Sequence, residues 1–305
     1  MSIPAVSVTA PVGQAIARVK QVLFRPFDLG RWFIIGFCAW LAGLGQGGGG
    51  YNFRLPGSGH HGSADFQQGF DHVRDFVAEN LYWIVPLAAV VLVFILALWV
   101  VFTWLSSRGQ FMFLHCVALN KAEVAVPWSR YAREGNSLFR FRLVRGLVSL
   151  AVMLPILIVS GVKAYRMFVD GWNGGGVMAL IGLGLLLVLI VITLAIVGKL
   201  LIDFVVPIMF LRRTNCTTAW NEFLGLLGEN IGRFTLYVLF QIVLGMAIVM
   251  LELAAVLVTC CIALCLIAIP FIGTVLLLPV LVFKRSYSIY YLAQYGPTYT
   301  CVTAG

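Results

Sequence analysis

The chain has 305 residues, 61% of them hydrophobic and 11% charged, with 21 Lys and Arg against 12 Asp and Glu. A soluble domain carries about 45–50% apolar and about 25% charged residues, so this balance excludes a water-soluble globular fold. The apolar residues come in continuous blocks rather than in alternation, which excludes a transmembrane β-barrel and predicts an all-α polytopic bundle, a single membrane domain over 1–305.

In chain order, "APVGQAIARVKQVLFRPFDLGRWF" opens with an amphipathic helix that has Pro11 at a first helical position. Val12, Ile16, Val19 and Leu23 form its predicted inner face, with Gln14, Arg18 and Gln21 outside. The first apolar block, 31–46, follows. Its 16 residues rise only about 24 Å against about 30 Å of hydrocarbon. Two readings are open for it: a re-entrant segment, or a short span that snorkels Arg31 and Trp32 to the interface. About 30 residues precede it, which makes it a poor signal peptide.

A Gly-rich stretch with His60 and His61 comes next, then an amphipathic helix over 65–80, and the second block, 82–105. The glycines make no phosphate cradle, because no strand precedes them and no Gly-Lys-Ser/Thr follows. The histidine pair reads as part of a solvated loop rather than as a metal site. "VPWSRYAREGNSLFRFRLV" then predicts a second amphipathic helix, with Trp128, Tyr131, Gly135 and Leu138 inward and Ser129, Arg130, Arg133 and Asn136 outward. Blocks at 143–162 and 177–198 follow it. A third amphipathic helix, "AWNEFLGLLGENIGRF", has Trp220, Phe223, Leu224, Leu227 and Ile231 on one face, and precedes blocks at 234–257 and 260–283. These last two are nearly continuous and must fold back as a hairpin near 258–260.

The pattern therefore recurs three times, over 10–121, 126–213 and 217–295. Each unit is an interfacial helix, an Arg–Phe junction at Arg25, Arg140 or Arg233, and a two-span hairpin. Of the basic residues, only Arg54, Arg74, Lys163 and Arg166 fall in the alternate loops. The positive-inside rule then places both termini in the cytoplasm and favours six spans in the cell membrane. Basic residues strung along membrane edges predict anionic lipid headgroups as partners and argue against nucleic acid.

Few residues carry candidate chemistry. Glu252 is the one acid deep in an expected span. It costs about 2.5–3.5 kcal/mol at a helix centre, which the surrounding aliphatics outweigh at about 0.3–0.6 kcal/mol each. An ion or proton site and a neutral or hydrogen-bonded Glu near the outer interface are both open readings. Lys199 and Asp203, at i and i+4, predict an ion pair on one helix face. Pro207, Pro270 and Pro279 predict kinks. Cys260, Cys261 and Cys265 lack the His or CxxC spacing of a metal site and read as buried small residues, with an extracytoplasmic disulfide as the alternative. No catalytic arrangement of Ser, His and Asp or of Cys and His is readable, and no cofactor or metal is expected.

The stretches "LFRPFDLGRWFIIGF", "DFVVPIMFLRR…AWNEF" and "VFKRSYSIYYLAQYGP" resemble the bacterial and archaeal six-helix membrane families related to the membrane domain of glycerophosphodiester phosphodiesterase. The resemblance implies a shared membrane fold over nearly the whole chain and no activity. The catalytic barrel of those enzymes has no counterpart here, and "GHHG" at 59–62 is not its motif.

The sequence thus predicts a non-enzymatic integral membrane protein. Trp128, Trp220 and the three junction arginines would engage lipid or scaffold a membrane-protein partner or a second copy. A transporter or channel for a small or lipidic solute is the alternative.

Overall fold

The computed structural model describes residues 6–44, 81–171, 174–259 and 269–302. The Gly-rich stretch with His60 and His61, the helix expected over 65–80, and Cys260, Cys261 and Cys265 lie outside the described residues.

The described residues are helical, without a strand among them. In order they form α1 (Ala10–Phe24), α2 (Leu29–Gly43), α3 (Leu81–Leu119), α4 (Ala125–Arg130), α5 (Ala132–Asp170) and α6 (Gly174–Leu200). A π-helical segment, Leu201–Val205, leads into α7 (Val206–Arg212), then α8 (Cys216–Glu229), α9 (Ile231–Val258), α10 (Pro270–Leu276) and α11 (Leu278–Ala293). Four continuous stretches are long and apolar enough to cross a membrane: Tyr82–Leu119, Ala132–Val169, Gly174–Arg212 and Ile231–Val258. α2 is a shorter apolar helix.

Each long helix divides into an apolar arm and a buried foot. In α3 no residue from 82 to 102 is buried, whereas Phe111 to Ala118 are all buried. α5 buries Glu134, Gly135, Leu138 and Arg142 and nothing beyond them. α6 buries only Leu200, and the π segment and α7 carry on into the core. In the most apolar windows of the first three stretches no residue is buried. The arms thus present aliphatic surface, as bilayer-facing helices do. The feet meet in a base whose centre is aromatic. Phe204 stacks on Phe223 at 5.2 Å, and Tyr237 lies 4.5 Å from Tyr291.

Side-chain capping ties the base together. Helix ends leave carbonyls without partners. At the end of α3, Arg18 of α1 donates from Nε to Val117 O at 3.0 Å and from Nη2 to Ala118 O at 2.6 Å. Arg31 of α2 reaches the carbonyl and side chain of Asn120, which has the left-handed φ of +55° common just past a helix end. Arg18 was expected on the outer face of α1. The buried face is Pro11, Ala15, Arg18, Val22 and the expected Leu23, while Ile16 is exposed. An arginine that satisfies two charge-assisted bonds is better placed there than the isoleucine. The third amphipathic helix is corrected likewise: α8 buries Cys216, Ala219 and Phe223 and leaves Leu224 exposed.

α2 runs antiparallel to the foot of α3, not beside its arm. Arg31 meets Asn120 at one end, and at the other Ser106 and Gln110 donate to Ala42 O at 2.7 and 2.9 Å. Gly109 permits this approach, since a Cβ there would lie 2.6 Å from the backbone of Leu41 and Ala42. Block 1 is therefore a helix of the base in its described part.

The junction expected at Arg140 falls earlier. Tyr131 separates α4 from α5, and α5 passes unbroken through Arg140. Tyr131 packs face to face with Phe210 at 4.9 Å, which holds the break against α7.

Candidate functional site

The π segment marks the polar centre of the base. Pro207 has no N–H to offer the carbonyl of Asp203, and its ring crowds that carbonyl. The helix widens over Leu201–Val205 just before it, so the expected kink at Pro207 takes the form of a π turn. Pro270 and Pro279 sit in the first turns of α10 and α11, which break at Leu277.

Widening frees a carbonyl, and a buried arginine takes it: Arg285 Nη1 of α11 donates to Ile202 O at 2.6 Å. On the neighbouring residue, Asp203 Oδ2 accepts from Lys199 Nζ at 2.9 Å and from the Tyr237 hydroxyl at 3.0 Å. Gln241 donates to the same hydroxyl at 3.1 Å. The expected pair of Lys199 and Asp203 is thus present, inside a network that also recruits α9. The charges of Glu252, Lys199 and Asp203 all act on Lys284.

Two more arginines approach from α5. Arg142 Nη1 donates to Ser106 Oγ at 3.1 Å, and Arg145 makes a long bond of 3.4 Å to Leu194 O. The charges of Arg145 and Arg285 both act on Arg142. Burial pushes the thiols of Cys216 and Cys301 up to about 12, against the opposing pull of Arg142 and Arg285 respectively. Burial likewise lowers Arg18 from the usual guanidinium range, with Tyr290 opposing.

The remaining expected site residues stay apart. Arg25 and Arg140 are exposed, and Arg233 bonds to Asn230 Oδ1 at 3.3 Å while its carbonyl accepts from Tyr291. Among the described residues no hydrogen bond or ion pair joins these three arginines. Trp220 lies in the base, 5.7 Å from Phe141. Trp128 meets Trp104 edge-on at 5.8 Å, and Arg108 sits over both rings at 4.9 and 4.7 Å. Among the described residues no group of three metal-ligating side chains is present.

Arg142, Arg145, Tyr237, Gln241 and Arg285 are residues that sequence reasoning missed. For Arg142 a signal existed: Tyr131, Gly135, Leu138 and Arg142 continue the inner face at helical spacing. Arg285 carries no local signal, because its partner is 83 positions away.

A family model described as a family of unknown function (DUF7544) matches residues 6–302, and the chain belongs to that family. No curated protein and no solved structure matches the chain.

Proposed function

We propose that this chain is a non-enzymatic, multi-pass protein of the cell membrane whose base engages anionic lipid headgroups on the cytoplasmic face. In that role it scaffolds a membrane-protein partner or a second copy. Both termini lie in the cytoplasm in this reading, which rests on the distribution of basic residues. Kinship with the membrane domain of glycerophosphodiester phosphodiesterase belongs to the same proposal, rests on the three quoted motifs, and carries no activity with it.

One observation carries the reading. On α3 exposed apolar side chains give way, within two turns, to Trp104 and Arg108, with Trp128 closing over the guanidinium. Tryptophan and arginine side by side suit headgroup depth. Each cation over an aromatic ring is worth about 0.5–1 kcal/mol at an exposed site, and each basic residue near an anionic surface about 1 kcal/mol.

The test is lipid selection. Reconstituted in nanodiscs of mixed phosphatidylglycerol and phosphatidylcholine, the protein enriches phosphatidylglycerol in its shell. Replacing Arg25, Arg140 and Arg233 by Ala together reduces that enrichment. An unselective shell around the native protein contradicts the reading.

A second reading is favoured by the π turn and the network of Lys199, Asp203, Tyr237 and Gln241, since irregular helices bearing polar groups also line transport paths. Solute flux in liposomes, abolished by Asp203→Asn, would make the protein a transporter.

A further inference from the structure

We infer that Arg142, Arg145 and Arg285 form a site for one phosphate-bearing anion at the centre of the base. The inference deepens the lipid-engaging reading and rests on it for the source of the anion, a phospholipid headgroup. Free inorganic phosphate offers the same chemistry.

The argument is one of unmet demand. A guanidinium presents five N–H donors in a planar fork and stays charged. Arg285 is 5% exposed and uses one nitrogen, on Ile202 O. Its Nε and Nη2 are buried without a hydrogen-bond partner. Arg142 is 6% exposed and holds a hydroxyl, Ser106 Oγ, which itself donates to Ala42 O. Arg145 lies against Gly198 and, among the described residues, makes only the long bond to Leu194 O.

No carboxylate forms a salt bridge with any of the three among the described residues. The acid whose charge reaches Arg285 is Asp203, already held by Lys199 and Tyr237. The charges of Arg145 and Arg285 meanwhile repel Arg142. Buried cations normally occur paired. Arg142 within electrostatic reach of both Arg145 and Arg285, with no salt-bridged acid on any of the three among the described residues, calls for an anion that accepts several N–H bonds at once. A phosphate group does so, and guanidinium forks match its oxygens two by two. A chloride is a single acceptor centre and cannot match a fork oxygen by oxygen.

The test uses the full chain in mild detergent and native mass spectrometry with two probes, inorganic phosphate and short-chain phosphatidylglycerol, with short-chain phosphatidylcholine and chloride as controls. The native protein should retain one phosphate-bearing species per chain. Arg285→Lys keeps the charge and loses the fork, and should weaken retention by about tenfold, the scale of one charged hydrogen bond. Arg145→Gln, at a half-buried position, gives the same reading should Arg285→Lys not fold. Lys163→Ala and Arg166→Ala, both exposed at the far end of α5, should leave retention unchanged.

Retention of phosphate without lipid supports the site and contradicts the lipid source. One bound lipid held equally by the native protein, Arg285→Lys and Arg145→Gln overturns the site and leaves the lipid reading standing. No phosphate-bearing species at all overturns both.

Discussion

Arg285 holds the main-chain oxygen of Ile202 at 2.6 Å, and so pins the foot of α11 to the π turn that Pro207 imposes on the end of α6. Beside that contact the same turn carries Asp203, whose bonds to Lys199 and Tyr237 tie it to α6 and α9. One helical irregularity thus organises three elements, and its neighbours differ in burial enough to be ranked.

Tyr237 is the costlier half of that network. It is fully buried and bridges Asp203 and Gln241, whereas Lys199 is 41% exposed. Tyr237→Phe leaves a carboxylate oxygen short of a donor and should lower stability by about 1–3 kcal/mol. Lys199→Met breaks a half-exposed ion pair and should cost about 0–1 kcal/mol. Urea titration of both variants checks the order; equal losses would mean that the buried hydroxyl of Tyr237 holds Asp203 no more firmly than the half-exposed amine of Lys199.

Arg18 and Arg31 cap the same helix end from different depths. Arg18 is 3% exposed and closes two carbonyls, and Arg31 is half-buried on a single residue. Arg18→Gln should destabilise by about 2–4 kcal/mol and Arg31→Gln by about 1 kcal/mol or less. Hydrogen exchange should show the end of α3, Val117 to Leu119, loosening in the first variant and not in the second.

Gly109 sets the distance between α2 and α3. Gly109→Ala drives a Cβ into the backbone of Leu41 and Ala42 and should cost about 1–3 kcal/mol. Gly245→Ala, in the open arm of α9, meets nothing within 4 Å and should be neutral or gain up to about 1 kcal/mol of helix propensity. A thermal melt of each variant decides it.

Cys38 and Cys116 report the same packing chemically. Their sulfurs are 3.9 Å apart, both fully buried. With Cys260, Cys261 and Cys265 changed to Ser, diamide should oxidise this pair, joining the two sulfurs with loss of both thiol hydrogens to the reagent. Cys216 and Cys301 should stay reduced, and should also resist maleimide. Thiolate is the reactive form, and with thiols raised to about 12 little of it exists at pH 8. Peptide mapping that finds a bridge at Cys216 or Cys301 would contradict the arrangement.

What the sequence made legible follows from which contacts are local. The apolar windows located the arms of α3, α5, α6 and α9, because exposure to lipid leaves an unbroken aliphatic record. They undercounted length: block 2 ends at 105 and block 4 at 198, whereas the helices run to Leu119 and Arg212. The feet are buried in protein, so Ser106, Ser107, Arg108 and Gln110 are tolerated there and end the apolar window before the helix ends. Lys199 and Asp203 were legible as i and i+4. Tyr237 and Arg285 were not, because they join the site from 34 and 83 positions away. Charge misled on α1, where Arg18 looked like a solvated residue and is a buried cap.

Anionic headgroup binding at the base is the central claim, and the most direct measurement is native mass spectrometry of the protein released from its own membranes with minimal detergent. The account predicts a discrete anionic phospholipid, at fixed stoichiometry, retained on each chain. A bare chain, or one that carries lipids only in the proportions of the bulk membrane, would contradict it.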